Sequence, residues 1–461
     1  MRKGEIATVG VTSINSEGEG VARCESGDVK NFVVFLPGAL PGERVRCRVV
    51  RSSKNYAAAE VLDILDSSGD RVSPRCGAYG RCGGCQLQHA SYRSQVELKK
   101  KILADAMRRI GRLNLDCAVE CFPSPEEWGY RSKAVLPVGR AAGYYERRSH
   151  NIVPFDGCPI LKPQAERVVS DVICALAGSG FRGYDERKRV GDIRYIAARY
   201  GECGGLREVL SGVVLSRDLS GREFGRLRDI HQKLGARNPD LAGSVMNVKT
   251  GSDNFVWGPL FKSLCGKKFL NARLGNYRYR LDISSFFQIN APQAERIFSF
   301  VSGVLEKSGS SSLLELYSGV GSLTLFLASV AGEVDAVEEW RPAARRMAEN
   351  MEMNGASNVR IFAESSEAFM RRPEALAPNR YDAVVLDPPR AGCSEDVING
   401  IRLMSPETVV YVSCNPATLA RDVARMAEDG MYRVESLAAY DMFPQTAHVE
   451  SVCVMRSSFI G

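Results

Sequence analysis

Cys414 sits where an apolar strand breaks into an Asn-Pro turn, in "YVSCNPATLARD". A free cysteine is usually a small buried hydrophobe. A thiol at the carboxyl end of a strand in an α/β sheet, however, stands where ligands gather. Arg421 is close enough in sequence to favour a thiolate. Downstream, "DMFPQTAHVESV" supplies His448 and Glu450, either of which could act as a general base. A thiolate beside a methyl donor suggests one chemistry. The C5 carbon of uracil is too weak a nucleophile to attack a methyl sulfonium unaided. Thiolate addition at C6 turns C5 into an enolate carbon that can take the methyl group. A base then removes the C5 proton and the thiolate is eliminated.

Signs of a methyl-donor site lie upstream. "LLELYSGVGSLTL" is an apolar strand running into a glycine-rich turn, with Gly319 and Gly321 letting a ligand approach the backbone. Glu338, about twenty residues on at the end of "VDAVEE", is placed to accept hydrogen bonds from ribose hydroxyls. The turn lacks the full G-x-G-x-x-G pattern, so a mononucleoside such as S-adenosylmethionine fits better than NAD. Asp387 ends another strand, "VVLDPPRAG", and reads equally as a ligand-edge carboxylate or a helix cap. "SSFFQIN" places polar Gln288 and Asn290 among aromatics, which alone says little.

A second group of thiols lies far from these. "PRCGAYGRCGGCQLQH" holds Cys76, Cys82 and Cys85, with glycines that let the backbone wrap a bound centre. Cys158, in the Gly-Pro turn "FDGCPI", is the best fourth ligand; Cys117, Cys121 and Cys174 lie in less turn-like settings. Four thiolates suit a structural zinc or an iron–sulfur cluster, and the spacing does not choose between them. It lacks the C-x3-C-x2-C pattern of enzymes that cleave S-adenosylmethionine to radicals.

The elements that must position these groups follow from pattern and length. With 461 residues, 44% hydrophobic and 25% charged, the chain reads as a soluble protein of several domains. Its net charge of +7 tilts toward an anionic partner. Residues 1–65 carry short β-branched runs between turns and predict a small barrel, its surface basic through Lys3, Lys30, Arg44, Arg46, Arg48, Arg51 and Lys54. Residues 92–110 predict an amphipathic helix with Val96, Ile102, Leu103, Ala106 and Ile110 inward and Lys99, Lys100, Lys101, Arg108 and Arg109 outward. From 120 to 280 strands and helices mix, and from 285 they alternate as in a doubly wound parallel sheet. The longest uncharged run, Leu316 to Gly332, is short for a membrane span, and the amino-terminal stretch lacks the apolar core of an export signal. A reducing cytoplasmic setting, no membrane and a monomer without a stable protein partner are therefore expected.

"SCNPATLARD", "LDPPRAG", "FFQIN", "ELYSGVGSLTL" and "FPQTAHVES" together resemble the RNA uridine-5-methyltransferase family, which makes 5-methyluridine in ribosomal and transfer RNA. "GEGVAR" and "VVFLPGALPGERV" are similar to the TRAM domain, an OB-like RNA-binding barrel, and "CGAYGRCGGCQLQH" resembles the cluster loop of the ribosomal branch. The resemblance implies an α/β fold in three parts. Residues 1–65 would form the TRAM-like barrel, and 66–284 a central α+β unit for the cluster and RNA recognition. Residues 285–461 would form a Rossmann-like class I methyltransferase domain, with the helix at 92–110 able to pack against it. It further implies Cys414 as C6 nucleophile and Glu450 as the base. Gln288, Tyr317, Glu338 and Asp387 would contact S-adenosylmethionine, and Cys76, Cys82, Cys85 and Cys158 would hold a [4Fe-4S] cluster. His448 becomes a neighbour. Ser322 and Ser365 depart from the asparagines common in relatives. The barrel and cluster together favour 23S ribosomal RNA as substrate, with transfer RNA as the alternative. Two rivals are an RNA-binding protein with an inactive methyltransferase domain and an iron–sulfur redox enzyme, which would have no need of Cys414.

Overall fold

The computed structural model describes residues 1–23, 32–115, 117–253 and 255–458; Lys30 lies outside them. β1 (Ile6–Ile14), β2 (Glu19–Arg23), β3 (Val33–Pro37), β4 (Arg44–Ser52) and β5 (Tyr56–Asp66) close into a barrel in the order β1-β2-β3-β5-β4. Alternation along β4 sends Val45, Cys47 and Val49 inward and Arg44, Arg46 and Arg48 outward. Those arginines are less available to RNA than the sequence suggests. Register sets them against Asp66, Asp63 and Glu60 of β5, and each forms an ion pair there.

The helix α1 (Tyr92–Arg109) starts where the side chain of Ser91 accepts the Ser94 N–H. Its inward face is Leu98, Lys99, Ile102, Leu103, Ala106 and Met107. This corrects the expected face at three points, the first being Val96, which is only half-buried. Ile110 is the C-cap and half exposed, and Lys99 is fully buried because its ammonium donates to Asp441 Oδ1 (2.5 Å) and to the Phe443 carbonyl (2.9 Å). Next, β6 (Val119–Phe122) joins the carboxyl-terminal sheet. Residues 92–122, assigned by sequence to the central unit, thus build into the methyltransferase core.

The central unit comprises β7 (Lys133–Pro137), the hairpin β8 (Gly143–Tyr145) and β9 (Ile152–Pro154), α2 (Pro163–Leu176), β10 (Ile193–Cys203), β11 (Leu206–Leu215), α3 (Gly221–Arg237), β12 (Leu241–Val248) and β13 (Leu260–Gly266). Its sheet runs β13-β12-β11-β10-β7 under α2 and α3. The hairpin β14 (Phe269–Leu274) and β15 (Tyr277–Asp282) then packs its apolar side into the core of the next unit.

That unit contains α4 (Ala291–Ser308), β16 (Ser312–Leu316), α5 (Thr324–Ala328), β17 (Glu333–Val337), α6 (Arg341–Met353), β18 (Val359–Phe362), α7 (Ser366–Phe369), β19 (Ala383–Leu386), α8 (Glu395–Met404), β20 (Thr408–Ser413), α9 (Pro416–Met426), β21 (Tyr432–Tyr440) and β22 (Glu450–Ser457). The sheet order is β18-β17-β16-β19-β20-β22-β21-β6, with the first five strands parallel and β22 antiparallel to both neighbours. Its strands alternate between two cores. Leu314, Leu316, Val384, Leu386, Val409 and Tyr411 face α1, α8 and α9, whereas Leu313, Ala383, Val385, Val410 and Val412 face α4 and α6. The order reverses beside β16, between β17 and β19, which opens a crevice at the carboxyl ends of these strands.

Candidate active site

The crevice is built first by the turn after β16. Tyr317 and Gly319 both take positive φ (65° and 58°), and Ser318 N–H donates to the Val337 carbonyl at 3.0 Å. A tyrosine in the left-handed region is held there at a cost, which marks a conformation fixed by its surroundings. Gly321, at φ 81°, admits no side chain: a Cβ there would lie 2.7 Å from Met347 Cγ. Glu338 Oε2 accepts the Gly319 N–H (2.8 Å) and Oε1 the Trp340 N–H (2.7 Å). Burial nevertheless pushes its carboxyl above the usual range. Each oxygen keeps a second lone pair for a ligand hydroxyl. Sequence reasoning missed Glu315. Buried in β16, it accepts from Thr324 Oγ1 (2.5 Å), and desolvation raises it to about 8. Its signal was an acid in an otherwise apolar strand one residue before the turn.

Cys414, Glu450 and Asp387 converge on the same edge. β20 pairs with β22 through Ser413 opposite Ser451, so one further step sets Cys414 beside Glu450. Cys414 is half-buried; desolvation, then the charges of Glu450 and Asp387, push its thiol up to about 11, against a smaller opposing pull from Arg390. Buried Glu450 is raised well above the carboxylate range by desolvation and then by Asp387. Desolvation takes Asp387 to about 7. Three acids thus share one poorly solvated edge and resist ionising together.

Arg421 does not serve the thiol as expected. Its Nε binds Asp422 (2.7 Å), and its other nitrogen reaches the Ala391 carbonyl. Asn415 instead ties two loops together: its Oδ1 accepts the Ala417 N–H and its Nδ2 donates to the Arg390 carbonyl (2.9 Å). His448 is half-buried, and desolvation with nearby Arg390, Lys99 and Arg131 lowers it to about 4, so it is uncharged at neutral pH. Of the two departures, Ser365 caps α7 through the Ala368 N–H, and the Ser322 carbonyl accepts from Tyr279. Gln288 is buried and lines a separate cavity of about 620 Å³ with Tyr130, Lys162 and Glu295. Among the described residues no hydrogen bond joins it to Glu338 or Asp387.

The loop before Glu450 collects bonds from all over the chain. Lys99 holds Asp441 and Phe443, Asn290 Nδ2 reaches the Met442 carbonyl (3.2 Å), and Tyr130 donates to the Pro444 carbonyl (2.9 Å). Gln445, at φ 71°, accepts from Gln95 Nε2 at its Oε1, donates its backbone N–H to Gln95 Oε1, and accepts the Gln86 and Leu87 N–H groups at its carbonyl.

Cys85 directly precedes that pair. It lines a cavity of about 120 Å³ with Cys76, Cys82 and Cys158, beside Arg131 and Tyr144. Burial, then mutual repulsion of thiolates, pushes Cys85 up to about 11 and Cys158 to about 12, and burial raises Cys82. Cys117, Cys121 and Cys174 lie elsewhere, the first two against the core beneath α1. Among the described residues, no group of three or more His, Cys, Asp or Glu side chains is placed to hold a single metal ion. No helix among them is long and apolar enough to cross a membrane.

Comparison with known proteins places these features in context. Residues 266–457 match the family described as tRNA (Uracil-5-)-methyltransferase, and residues 2–62 match the TRAM domain. An uncharacterised RNA methyltransferase of Halalkalibacterium halodurans is 35% identical over 462 residues, covering 99% of this chain and 98% of that one. Another from Gloeobacter violaceus is 34% identical, covering 99% and 97%. Among solved structures, Pyrococcus abyssi tRNA (uracil-54, C5)-methyltransferase in complex with S-adenosyl-L-homocysteine is similar with a TM-score of 0.75. It is 26% identical, covering 97% of this chain and all of that one.

Proposed function

Because the chain belongs to the tRNA (uracil-5-)-methyltransferase family and is an S-adenosylmethionine-dependent RNA uracil-5-methyltransferase, we propose that it methylates a uridine of 23S ribosomal RNA through a covalent adduct with Cys414. The observation that carries this reading is the placement of Cys414 beside Glu450 at the ends of neighbouring strands. S-adenosylmethionine, when bound, supplies the electrophilic methyl group and a positive charge. Glu338 and the Gly319–Gly321 turn would hold its ribose and backbone-facing side, with Tyr317 and Asp387 contributing further contacts; Gln288, expected beside them, lines another cavity. A cation beside Asp387 and Glu450 would favour their ionised forms and that of Cys414.

The Cys414 thiolate adds to C6, and the electron pair passes to C5, which would form the new carbon–carbon bond to the methyl group as the methyl–sulfur bond breaks and its electron pair leaves with S-adenosylhomocysteine. Glu450 then takes the C5 proton, the C5–C6 double bond re-forms, and the C6–S bond breaks to return the thiolate. Over the whole cycle the thiolate is regenerated and one proton is left on Glu450 for solvent.

Cys76, Cys82, Cys85 and Cys158 would hold a [4Fe-4S] cluster with a structural role. Support comes from the four thiols lining one small cavity and from the capacity of four thiolates to ligate such a cluster. Anaerobic purification should give a brown protein with broad visible absorbance. A colourless protein with stoichiometric zinc would sink this assignment.

The barrel and thiol loop together favour ribosomal RNA. The likeness to the Pyrococcus abyssi enzyme, whose substrate is transfer RNA, favours the second reading, a transfer-RNA uridine. Mass-spectrometric mapping of 5-methyluridine in both RNAs, from cells with and without this gene, separates the two.

A further inference from the structure

Two of the three tryptophans in the chain, Trp257 and Trp340, line one groove of about 590 Å³. One wall is the connection between β12 and β13, which carries Trp257; the other is the start of α6, where Trp340 is the N-cap. Phe261 adds a third ring, 5.9 Å from Trp257 and tilted by 31°. Phe261 and Trp340 are 40% and 43% exposed, and Phe255 of the same connection is 77% exposed. Rings of this size are ordinarily drawn into cores, so several around one groove mark a surface built for a flat partner.

The charge around the groove is positive. Lys268 and Arg345 line it, and among the described residues neither pairs with a carboxylate. Lys262 also lines it, with its ammonium on Asp218 at 2.7 Å. Lys133 lies 5.7 Å from the centre of the Trp257 ring, but burial, then neighbouring Arg199 and Arg131, push its ammonium well below the usual range, so Lys268 and Arg345 carry the groove's free charge. Asp282 is the lining carboxylate, and Arg346 grips it with contacts of 2.8 and 2.9 Å.

We propose that this groove binds a single-stranded RNA segment flanking the target uridine. Bases would stack on Trp257, Phe261 and Trp340, and phosphates would meet Lys268 and Arg345. Stacking rings combined with unpaired cations are what single strands need and what an apolar peptide does not. Position supports the same occupant: Trp340 lies two residues beyond Glu338 and hydrogen-bonds to it, so the groove opens onto the cofactor edge. The proposal rests on the RNA-methyltransferase reading.

The test uses the full chain and a fluorescently labelled oligouridine of about twelve nucleotides, followed by anisotropy, a length matched to the site sizes of single-strand binders. S-adenosylmethionine affinity is measured separately by calorimetry. Phe261→Ala should weaken oligouridine binding about tenfold, the loss of one stacked base. Lys268→Glu and Arg345→Glu should each lower the slope of log affinity against log salt by about 0.7 or more. S-adenosylmethionine affinity should hold in all three variants. Wild-type affinity for oligouridine in every variant would overturn the proposal. So would a Trp340→Ala variant that loses S-adenosylmethionine and keeps RNA, because the groove would then seat the adenine ring. If the wild type binds no oligouridine yet methylates bulk unmodified RNA, the groove assignment fails alone. If it does neither, the RNA-methyltransferase reading fails with it.

Discussion

Cys414 should behave as a reluctant thiol in the free enzyme, and alkylation measures this directly. Desolvation and two neighbouring carboxyls move it from 9.0 to about 11. Two pH units correspond to roughly a hundredfold less thiolate at pH 8 than an unperturbed thiol carries. Burial also slows access, so the pH dependence is more telling than the absolute rate. With iodoacetamide and peptide mapping, the rate at Cys414 should rise about tenfold per pH unit through pH 9.5. A model cysteine peptide titrating near about 8.5 should level off over the same range. The group is protonated below its folded value, so reactivity appears as pH rises and none is stored at neutral pH. Asp387 titrates near 7 and adds negative charge above that point. Asp387→Asn should therefore raise the Cys414 rate at pH 8.5. A plateau near pH 7, or an Asp387→Asn variant that alkylates more slowly, would refute the account of a site that withholds its thiolate until substrates arrive.

Cys414→Ala should abolish methyl transfer while S-adenosylmethionine binding, measured by calorimetry, stays near wild type; residual 5-methyluridine would exclude the adduct. Glu450→Gln should form the methylated adduct and fail to release it, so a denaturing gel should show a protein–RNA band, and its absence would remove Glu450 as the base. Lys99→Met leaves Asp441 buried without its cation and should cost about 3–5 kcal/mol, whereas Lys99→Met with Asp441→Leu should recover much of it. Thermal unfolding of the two variants decides this, and equal melting points would show the pair to be unimportant.

Much of this was legible because period and edge position are local. The runs at 313–316, 334–337, 383–386 and 408–413 are largely apolar and buried on both faces, Glu315 and Asp335 apart, the mark of a parallel strand covered by helices, and Gly319, Glu338, Asp387 and Cys414 follow strand ends. What the sequence could not give were pairings across hundreds of positions. Lys99 reads as one of three consecutive lysines on a polar face, and only Asp441, 342 residues on, draws it inward. Arg421 reads as a partner for Cys414 until Asp422 is seen to hold it. Arg44, Arg46 and Arg48 read as a binding face until β5 sets an acid opposite each, whereas Arg51 faces Ala58.

The loop from Asp441 to Ala447 gives those long-range pairings a consequence. As the proposed base, Glu450 would have to meet a C5 proton within hydrogen-bond reach, and tolerances of that kind need support from rigid neighbours. The loop has no helix or strand of its own, and Gln445 holds a positive φ that a lone chain would relax. It is fixed instead by α1 through Lys99 and Gln95, by the central unit through Tyr130, and by Gln86 and Leu87 next to Cys85. The residues after Cys85 thus bind Gln445, five positions before the proposed base in the same segment. A group bound by the four thiols would stiffen the residues that hold Gln445, and so the approach to Glu450, without touching substrate.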